Sequence, residues 1–286
     1  MQPSFWKAFI FEKNKANRRE KVFLEKYRGF VFPLAILLLW AVGSEMEWFN
    51  TYIVPHPVKV LKTGLALAEN GILTRHLGIS LFRVLSGFVI TFSIAFPMAV
   101  LVGLNKKTFE YLSPFLEFVR HIPPIAMIPL LILWFGIGET SKIAVIILAT
   151  FFPIFINTVS GISGCDNRLV EVGRTYGFTR WQTLIKIILP QALPSILAGM
   201  QLGLGYSWRS LMGAELIAAS SGIGYMIIEA EQLSRIDIIF VGIIVIGTLG
   251  CGIDYFFLKA TNRLLMWEGG NHDRDKNQEL IKDFYA

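Results

Sequence analysis

The stretch from Gly78 to Gly103, GISLFRVLSGFVITFSIAFPMAVLVG, contains one charged residue, Arg83, and no cluster of turn-forming residues. A helix that crosses the hydrocarbon core of a bilayer needs about 20 mostly apolar residues, and this stretch exceeds that length. A strand buried in a soluble parallel sheet is also apolar, but it is much shorter and is bounded by turns. The stretch therefore predicts a membrane-spanning helix.

Five further stretches have the same character, so we predict an all-α membrane protein with about six transmembrane helices. The composition agrees, because 53% of the residues are hydrophobic and only 17% are charged, a balance that is unusual for a soluble domain. One transmembrane domain is expected at residues 30–265, between a basic tail at 1–29 and a second tail at 266–286. The predicted spans are residues 30–48, 78–103, 112–135, 141–162, 191–219 and 238–265.

Lysine and arginine residues outside the spans are distributed unequally between the two sides of the membrane. With Arg263 and Lys142 counted at the ends of their spans, eighteen lie in the two tails, at Arg263, at Lys106 and Lys107, and between residues 168 and 186, whereas five lie on the opposite side. Because cytoplasmic loops carry the positive excess, both termini and the loop at 166–190 are predicted to be cytoplasmic. This bias accounts for the net charge of +6, so the bilayer and not a nucleic acid is the expected partner.

No metal site or disulfide is predicted. The two cysteines, Cys165 and Cys251, lie in different parts of the predicted topology, and the four histidines are scattered without the spacing of metal ligands.

The longest cytoplasmic loop predicts a helix, a sharp turn and a second helix. Asp166 or Asn167 can cap the first helix, and apolar residues follow at helical spacing. Gly177 then interrupts the pattern, because glycine adopts backbone angles that strain other residues. The second helix is expected to start at Thr179 and to end near Pro190.

The spacing in this loop resembles the EAA motif, E-A-A-x3-G-x9-I-x-L-P, of the permease subunits of binding-protein-dependent ABC importers. Val172 and Gly173 stand where the family has two alanines, and both are small enough for a tight contact. The resemblance extends from about Val54 to Asp254. Within it, residues 122–139 and 207–225 are similar to the nitrate, sulfonate, taurine and bicarbonate branch of the family. Five positions coincide in register: Glu171, Gly177, Ile187, Leu189 and Pro190.

The resemblance implies the type I ABC importer permease fold and a set of partners. The helix before Gly177 would be a coupling helix that docks on a separate ATPase subunit, through Glu171, Val172, Gly173, Gly177, Ile187, Leu189 and Pro190. A second permease copy, giving a homodimer, and an external solute-binding protein are also implied, in the plasma (inner) membrane of a bacterium or archaeon. The alternative for the segment itself is an ordinary amphipathic helix at the membrane surface.

No catalytic residue or bound cofactor is predicted for this chain. A phosphate-binding loop of the G-x-x-x-x-G-K-[ST] type does not occur in it, so ATP and Mg are expected on the ATPase partner. The chain is therefore predicted to be a permease subunit and not an enzyme.

The predicted function is ATP-driven import of a small solute, which the resemblance suggests is an oxyanion or a sulfonate. The alternative that the same machinery imports a thiamine-precursor pyrimidine, riboflavin or an aromatic acid stays open. An ion-coupled secondary transporter is the alternative from another class, but it should show paired acidic residues in mid-membrane and inverted repeats, which are not evident. A membrane scaffold or sensor would not require the motif.

Ionisable residues within spans are costly, so they are candidates for the translocation path. Arg120 and Arg209 either guide an anion or form structural ion pairs, and Glu215 is one possible partner. Arg83 lies near a predicted helix end, so we expect its side chain to reach the membrane surface.

Helix breaks and aromatic side chains supply the remaining path candidates. Pro123 and Pro124 remove backbone donors, so they either line a path or make a packing kink. Trp208 could close a gate, although packing is the favoured interpretation for it.

Overall fold

The computed structural model describes residues 31–265, and every regular element in that range is helical. The predicted tails at 1–29 and 266–286 lie outside the described residues. A 3-10 turn at Pro124–Met127 and a π-helix at Leu184–Ile188 accompany the α-helices. In chain order these are α1 (Val31–Glu45), α2 (Pro57–Glu69), α3 (Ile72–Gly103), α4 (Lys106–Arg120), α5 (Ile128–Phe135), α6 (Glu139–Ser163), α7 (Asn167–Thr175), α8 (Arg180–Thr183), α9 (Leu189–Ala218), α10 (Ile223–Gln232) and α11 (Ile236–Leu264).

The described residues divide into two compact units, one ending at Ala66 and the other beginning at Leu67. In the first unit, the described part of the predicted span at 30–48 contains the apolar helix α1. Trp40 Nε1 donates a hydrogen bond to the Pro55 carbonyl at 3.1 Å and closes the turn that follows α1.

The second unit contains four helices that are long and apolar enough to cross a membrane, or five if α4 and α5 form one broken span. The four are α3, α6, the Arg180–Gln232 segment that contains α9, and α11. The predicted third span, 112–135, is not one straight helix. Its two halves are bent by 78°, because Pro123 and Pro124 lack the N–H donors that would continue α4.

Helices α3, α6 and α9 form the centre of this unit. Phe88 and Ala95 from α3 pack against Ile154 and Phe155 from α6 and Leu204 from α9. Small residues permit close packing, as in other membrane helices. A Cβ atom on Gly199 of α9 would come within 2.9 Å of the Pro153 carbonyl in α6.

Two ends of the helix assembly can be distinguished, because α3 and α6 run in the same direction and α9 runs against them. The Glu139 end contains the beginnings of α3 and α6 and the end of α9. Arg83 of α3 connects these three helices through Glu139 and Glu215. The α7 end contains the ends of α3 and α6 and the beginning of α9, where Gly103 meets Ile162 and Gly161 meets Ala192. The predicted functional residues divide between these two ends.

Candidate functional site

The α7 end carries a helix-turn-helix segment, as the sequence predicts. Asp166 caps α7 by accepting a hydrogen bond from the Arg168 N–H at 2.9 Å. At the other end of α7, the Phe178 N–H returns to the Gly173 carbonyl at 3.0 Å and the Gly177 N–H to the Arg174 carbonyl at 2.9 Å. This pattern needs a left-handed residue after the helix, and Gly177 supplies it with φ of 75°.

The second helix of the segment leads directly into α9. Thr179 and Gln182 form a reciprocal capping box at the start of α8. The π-helix at Leu184–Ile188 then joins α8 to α9 without a loop. Pro190 is the second residue of α9 and follows the π-helix directly. A movement of α8 is therefore passed to a helix long enough to cross the membrane.

Gly173 and Ile187 explain two positions of the motif by direct contact. A Cβ atom at Gly173 would lie 2.5 Å from Ile187 Cδ1, so a larger residue would require the end of the Ile187 side chain to shift. Gly173 is buried, whereas its neighbours Glu171 and Val172 are exposed. The side of α7 that carries Gly173 thus packs against Ile187. The remaining surface of α7 is free to contact another molecule.

Gln191 is a second attachment of α7 that sequence reasoning missed. Its side-chain oxygen accepts hydrogen bonds from the Cys165 thiol at 2.8 Å and from the Asp166 N–H at 3.3 Å. Burial raises the pKa of Cys165, which favours the protonated thiol that donates here. Nothing in the local pattern distinguishes this glutamine, because its partners lie 25 and 26 positions earlier in the chain.

One face of α7 is apolar and exposed. Leu169, Val172 and Tyr176 have 46%, 50% and 78% of their surfaces exposed, and their spacing of three and four residues places them on one side of the helix. Exposed apolar patches with polar surroundings mark sites of protein contact. Glu171 and Arg174 flank this apolar face and are exposed too.

Arg83 is the centre of a buried ionic cluster at the Glu139 end, so the expectation that it reaches the membrane surface is wrong. Its side chain is 1% exposed and forms ion pairs with Glu215 at 2.7 Å and Glu139 at 2.5 Å. It also donates to the carbonyl and hydroxyl groups of Ser221. All five N–H donors of the guanidinium group therefore have acceptors.

Glu215 is enclosed by the break between α9 and α10. Its carboxylate accepts hydrogen bonds from Ser80, Arg83 and the Gly224 N–H. Gly222 has φ of 112°, and a Cβ atom on it would lie 2.3 Å from the Glu215 carboxylate. A buried charge is stable only when it is paired and hydrogen-bonded, and both conditions hold here.

The other predicted path residues do not join this cluster. Arg120 pairs with Glu117 on its own helix at 2.9 Å, and both side chains are exposed. Pro123 and Pro124 form the bend between α4 and α5. Trp208 is 5% exposed and donates to the Ile246 carbonyl at 3.2 Å, which fits the packing interpretation. Arg209 is exposed, and its guanidinium lies 5.8 Å from the Tyr206 ring centre.

Residues 92–263 match the family model described as "Binding-protein-dependent transport system inner membrane component". The chain is similar to a protein named as an aliphatic sulfonates transport permease, SsuC, of Bacillus subtilis (strain 168), at 40% identity over 84% of this chain and 87% of the relative. It is 34% identical to the taurine transport system permease protein TauC of Escherichia coli (strain K12), over 82% of this chain and 88% of TauC. The nitrate import permease protein NrtB of Synechocystis sp. is 30% identical over 80% and 86% of the two chains.

Solved structures share the fold. A chain of the MetNI methionine ABC transporter in an inward-facing conformation superposes with a TM-score of 0.54 at 21% identity, over 65% of this chain and 91% of that chain. A chain of an amino acid ABC transporter gives 0.53 at 17% identity, over 66% and 90%. The resemblance predicted from the EAA-like register is confirmed: the chain belongs to the family of binding-protein-dependent transport system inner membrane components, and it is a multi-pass membrane permease subunit of an ABC transporter.

Proposed function

We propose that this permease subunit forms the translocation path of an importer for a small sulfonate or a similar oxyanion. The names of its relatives support this substrate class, because they include permeases for aliphatic sulfonates, taurine and nitrate. Uptake is driven by ATP bound with Mg on a separate ATPase subunit, and an external solute-binding protein delivers the solute. Two copies of the chain assemble as a homodimer in the plasma (inner) membrane of a bacterium or archaeon, with both termini in the cytoplasm.

The exposed apolar face of α7 is the observation that carries the proposal. Leu169, Val172 and Tyr176 form this face, while Gly173 holds the opposite side of α7 against Ile187. Force applied to the face therefore reaches the π-helix and α9 through this contact, and Leu189 and Pro190 begin the helix that receives it. Glu171 and Gly177 complete the docking segment at the helix surface and at its terminal turn.

The proposal is tested by uptake into proteoliposomes that contain the permease and its cognate ATPase. With the cognate binding protein outside, labelled ethanesulfonate, taurine or nitrate should accumulate only when ATP is present on the ATPase side. Accumulation without the ATPase subunit would instead identify a secondary transporter.

Two matched variants of α7 test the docking face. Val172→Glu places a carboxylate in the apolar face, and burying it without a partner costs several kcal/mol, so co-purification with the ATPase should fall more than about tenfold. Asn167→Glu adds the same charge at an exposed position of α7, about 140° round the helix from Val172, and should preserve the complex. Equal behaviour of the two variants would mean that the ATPase docks elsewhere.

A further inference from the structure

A groove between α9 and α11 is not used by the contacts described above. It has a volume of about 300 Å³, which is at the small end of the range for small-molecule sites. Glycines widen it, because no side chain fills the space at those positions. Its lining includes Gly205, Trp208 and Arg209 from α9 and Gly247, Gly250 and Asp254 from α11.

Two opposite charges line this groove. Arg209 and Asp254 are both exposed, and among residues 31–265 neither forms an ion pair within 4 Å. The contact recorded for Arg209 is with the ring of Tyr206. Both residues lie inside helices long enough to cross a membrane, where charged side chains almost always face protein or water rather than lipid. The groove is therefore an aqueous or protein-facing surface whose lining holds one positive and one negative side chain.

We propose that this groove is a transient binding site for a small zwitterion that carries a sulfonate and an ammonium group, such as 2-aminoethanesulfonate (taurine). Arg209 binds the sulfonate, because a guanidinium group presents a fork of N–H donors that matches an oxyanion. Asp254 binds the ammonium group across the groove. The site rests on the import function proposed above and narrows its substrate class to aminosulfonates.

The presence of both charges in one lining favours a zwitterion over a simple anion. An anion bound to Arg209 would share the groove with the Asp254 carboxylate, and like charges in one site repel. A ligand with a charge at each end can pair with both side chains.

Binding to the purified permease–ATPase complex without the binding protein tests the assignment. Labelled taurine and labelled ethanesulfonate share the sulfonate, and only taurine has the ammonium group. Asp254→Asn should weaken taurine binding by up to about fivefold, as expected for the loss of an exposed charge partner, and should leave ethanesulfonate binding unchanged or stronger. Arg209→Gln should weaken both ligands. An unchanged taurine-to-ethanesulfonate ratio in Asp254→Asn would overturn the site.

Two glycines of α11 give a matched pair for blocking the groove. A Cβ atom at Gly247 or at Gly252 meets nothing within 4 Å, so both positions have room for the start of a larger side chain, and only Gly247 lines the groove. Gly247→Leu should lower taurine binding and uptake more than about tenfold, whereas Gly252→Leu should behave like the wild type. If Gly247→Leu also bound taurine normally, the groove would not be the site.

Cys251 lines the same groove and is exposed, so it reports occupancy directly. In a Cys165→Ser background, taurine should slow the alkylation of Cys251 by N-ethylmaleimide, and Asp254→Asn should remove that protection. Absence of protection in the wild-type complex at saturating taurine would contradict the proposal.

Two outcomes separate this site from the proposed function. ATP-dependent uptake of a sulfonate by a complex whose selectivity ignores Asp254 would overturn the site and leave the import function in place. Loss of the permease dimer in Asp254→Asn, seen by native mass spectrometry, would show that the groove is an interface between two copies, and this would also overturn it.

Discussion

Arg83 differs from Arg120 and Arg209 in how completely its charge is compensated. Its five N–H groups all donate within the protein, and its side chain is almost fully buried. A lysine has three donors on one point and cannot reproduce this fork. The arginine therefore holds three parts of the chain, α3, α6 and the break after α9, with one side chain.

Replacing Arg83 with methionine should destabilise the complex strongly. The substitution keeps most of the volume but leaves the Glu215 carboxylate buried without its cation, and such a loss costs about 3–5 kcal/mol. We expect a lower midpoint of thermal unfolding for the purified complex in detergent, and partial recovery in the double variant Arg83→Met/Glu215→Gln.

Arg120→Met is the matched control for this prediction. The Arg120–Glu117 pair is exposed, and exposed pairs contribute about 0–1 kcal/mol, so the unfolding midpoint should change little. Equal midpoints for the two methionine variants would mean that the buried cluster does not stabilise the protein.

The sequence shows that Arg83 and Glu215 are unusual but not that they are partners. Their charge inside predicted spans marks both as costly. The pairing depends on how α3 and α9 are rotated against each other, and 132 residues separate the two side chains. We therefore expected Arg83 to reach the membrane surface and considered Glu215 as a partner for Arg209, whereas the structure joins Arg83 to Glu215.

At the scale of elements, α3 and α6 form one body. The Arg83–Glu139 pair joins their beginnings, and Gly103 meets Ile162 near their ends. Between these contacts, the buried Thr150 hydroxyl donates to the Thr91 hydroxyl at 2.8 Å. Helices that are fastened along their whole length should move together when α7 is displaced.

A cross-link between α3 and α6 should therefore leave transport intact. In a Cys165→Ser/Cys251→Ser background, Thr91→Cys and Thr150→Cys place two thiols where the hydroxyl oxygens are 2.8 Å apart, and a small adjustment brings them to the sulfur–sulfur distance of about 2.05 Å. ATP-dependent uptake measured before and after oxidation should be equal. Uptake that stops on oxidation and returns with a reducing agent would show that the two helices slide against each other.

The helix-turn-helix segment was largely predictable, because its determinants are local. The Asp166 cap, the left-handed turn at Gly177 and the Thr179 cap follow from residue type and spacing. The π-helix and the Gln191 attachment were not predictable, because one is a distortion without a residue signature and the other joins distant positions. The bend at Pro123 and Pro124 was foreseen as a break, but its angle depends on the packing of α5 against α6.

At the scale of the whole molecule, the distribution of charge predicts how the chain lies in the membrane. The α7 segment belongs to the side with the excess of lysine and arginine. A green fluorescent protein fused after Ala286 should fluoresce, and alkaline phosphatase at the same place should be inactive. Alkaline phosphatase inserted at Ser234, between α10 and α11, should be active. The reverse pattern would invert the topology and place α7 out of reach of an ATPase.

Hydropathy located most of the long helices but not the break within one of them. Four of the six predicted stretches coincide with helices in residues 31–265 that are long enough to cross a membrane. The stretch at 112–135 is divided between α4 and α5, and the described part of the stretch at 30–48 contains α1. Hydropathy averages over a window, so it does not detect a bend within an apolar stretch.

The pairing of Arg83 with Glu215 has a consequence for how the protein is made. A ribosome adds about 5–20 residues per second, so Glu215 emerges roughly 7–26 seconds after Arg83. During that interval α3 is released into the bilayer with an arginine whose insertion costs about 2.5–3.5 kcal/mol at a helix centre. The long apolar remainder of α3 offsets this cost. Once α9 has been inserted, Arg83 can pair with Glu215, and the same arginine then stabilises the finished bundle.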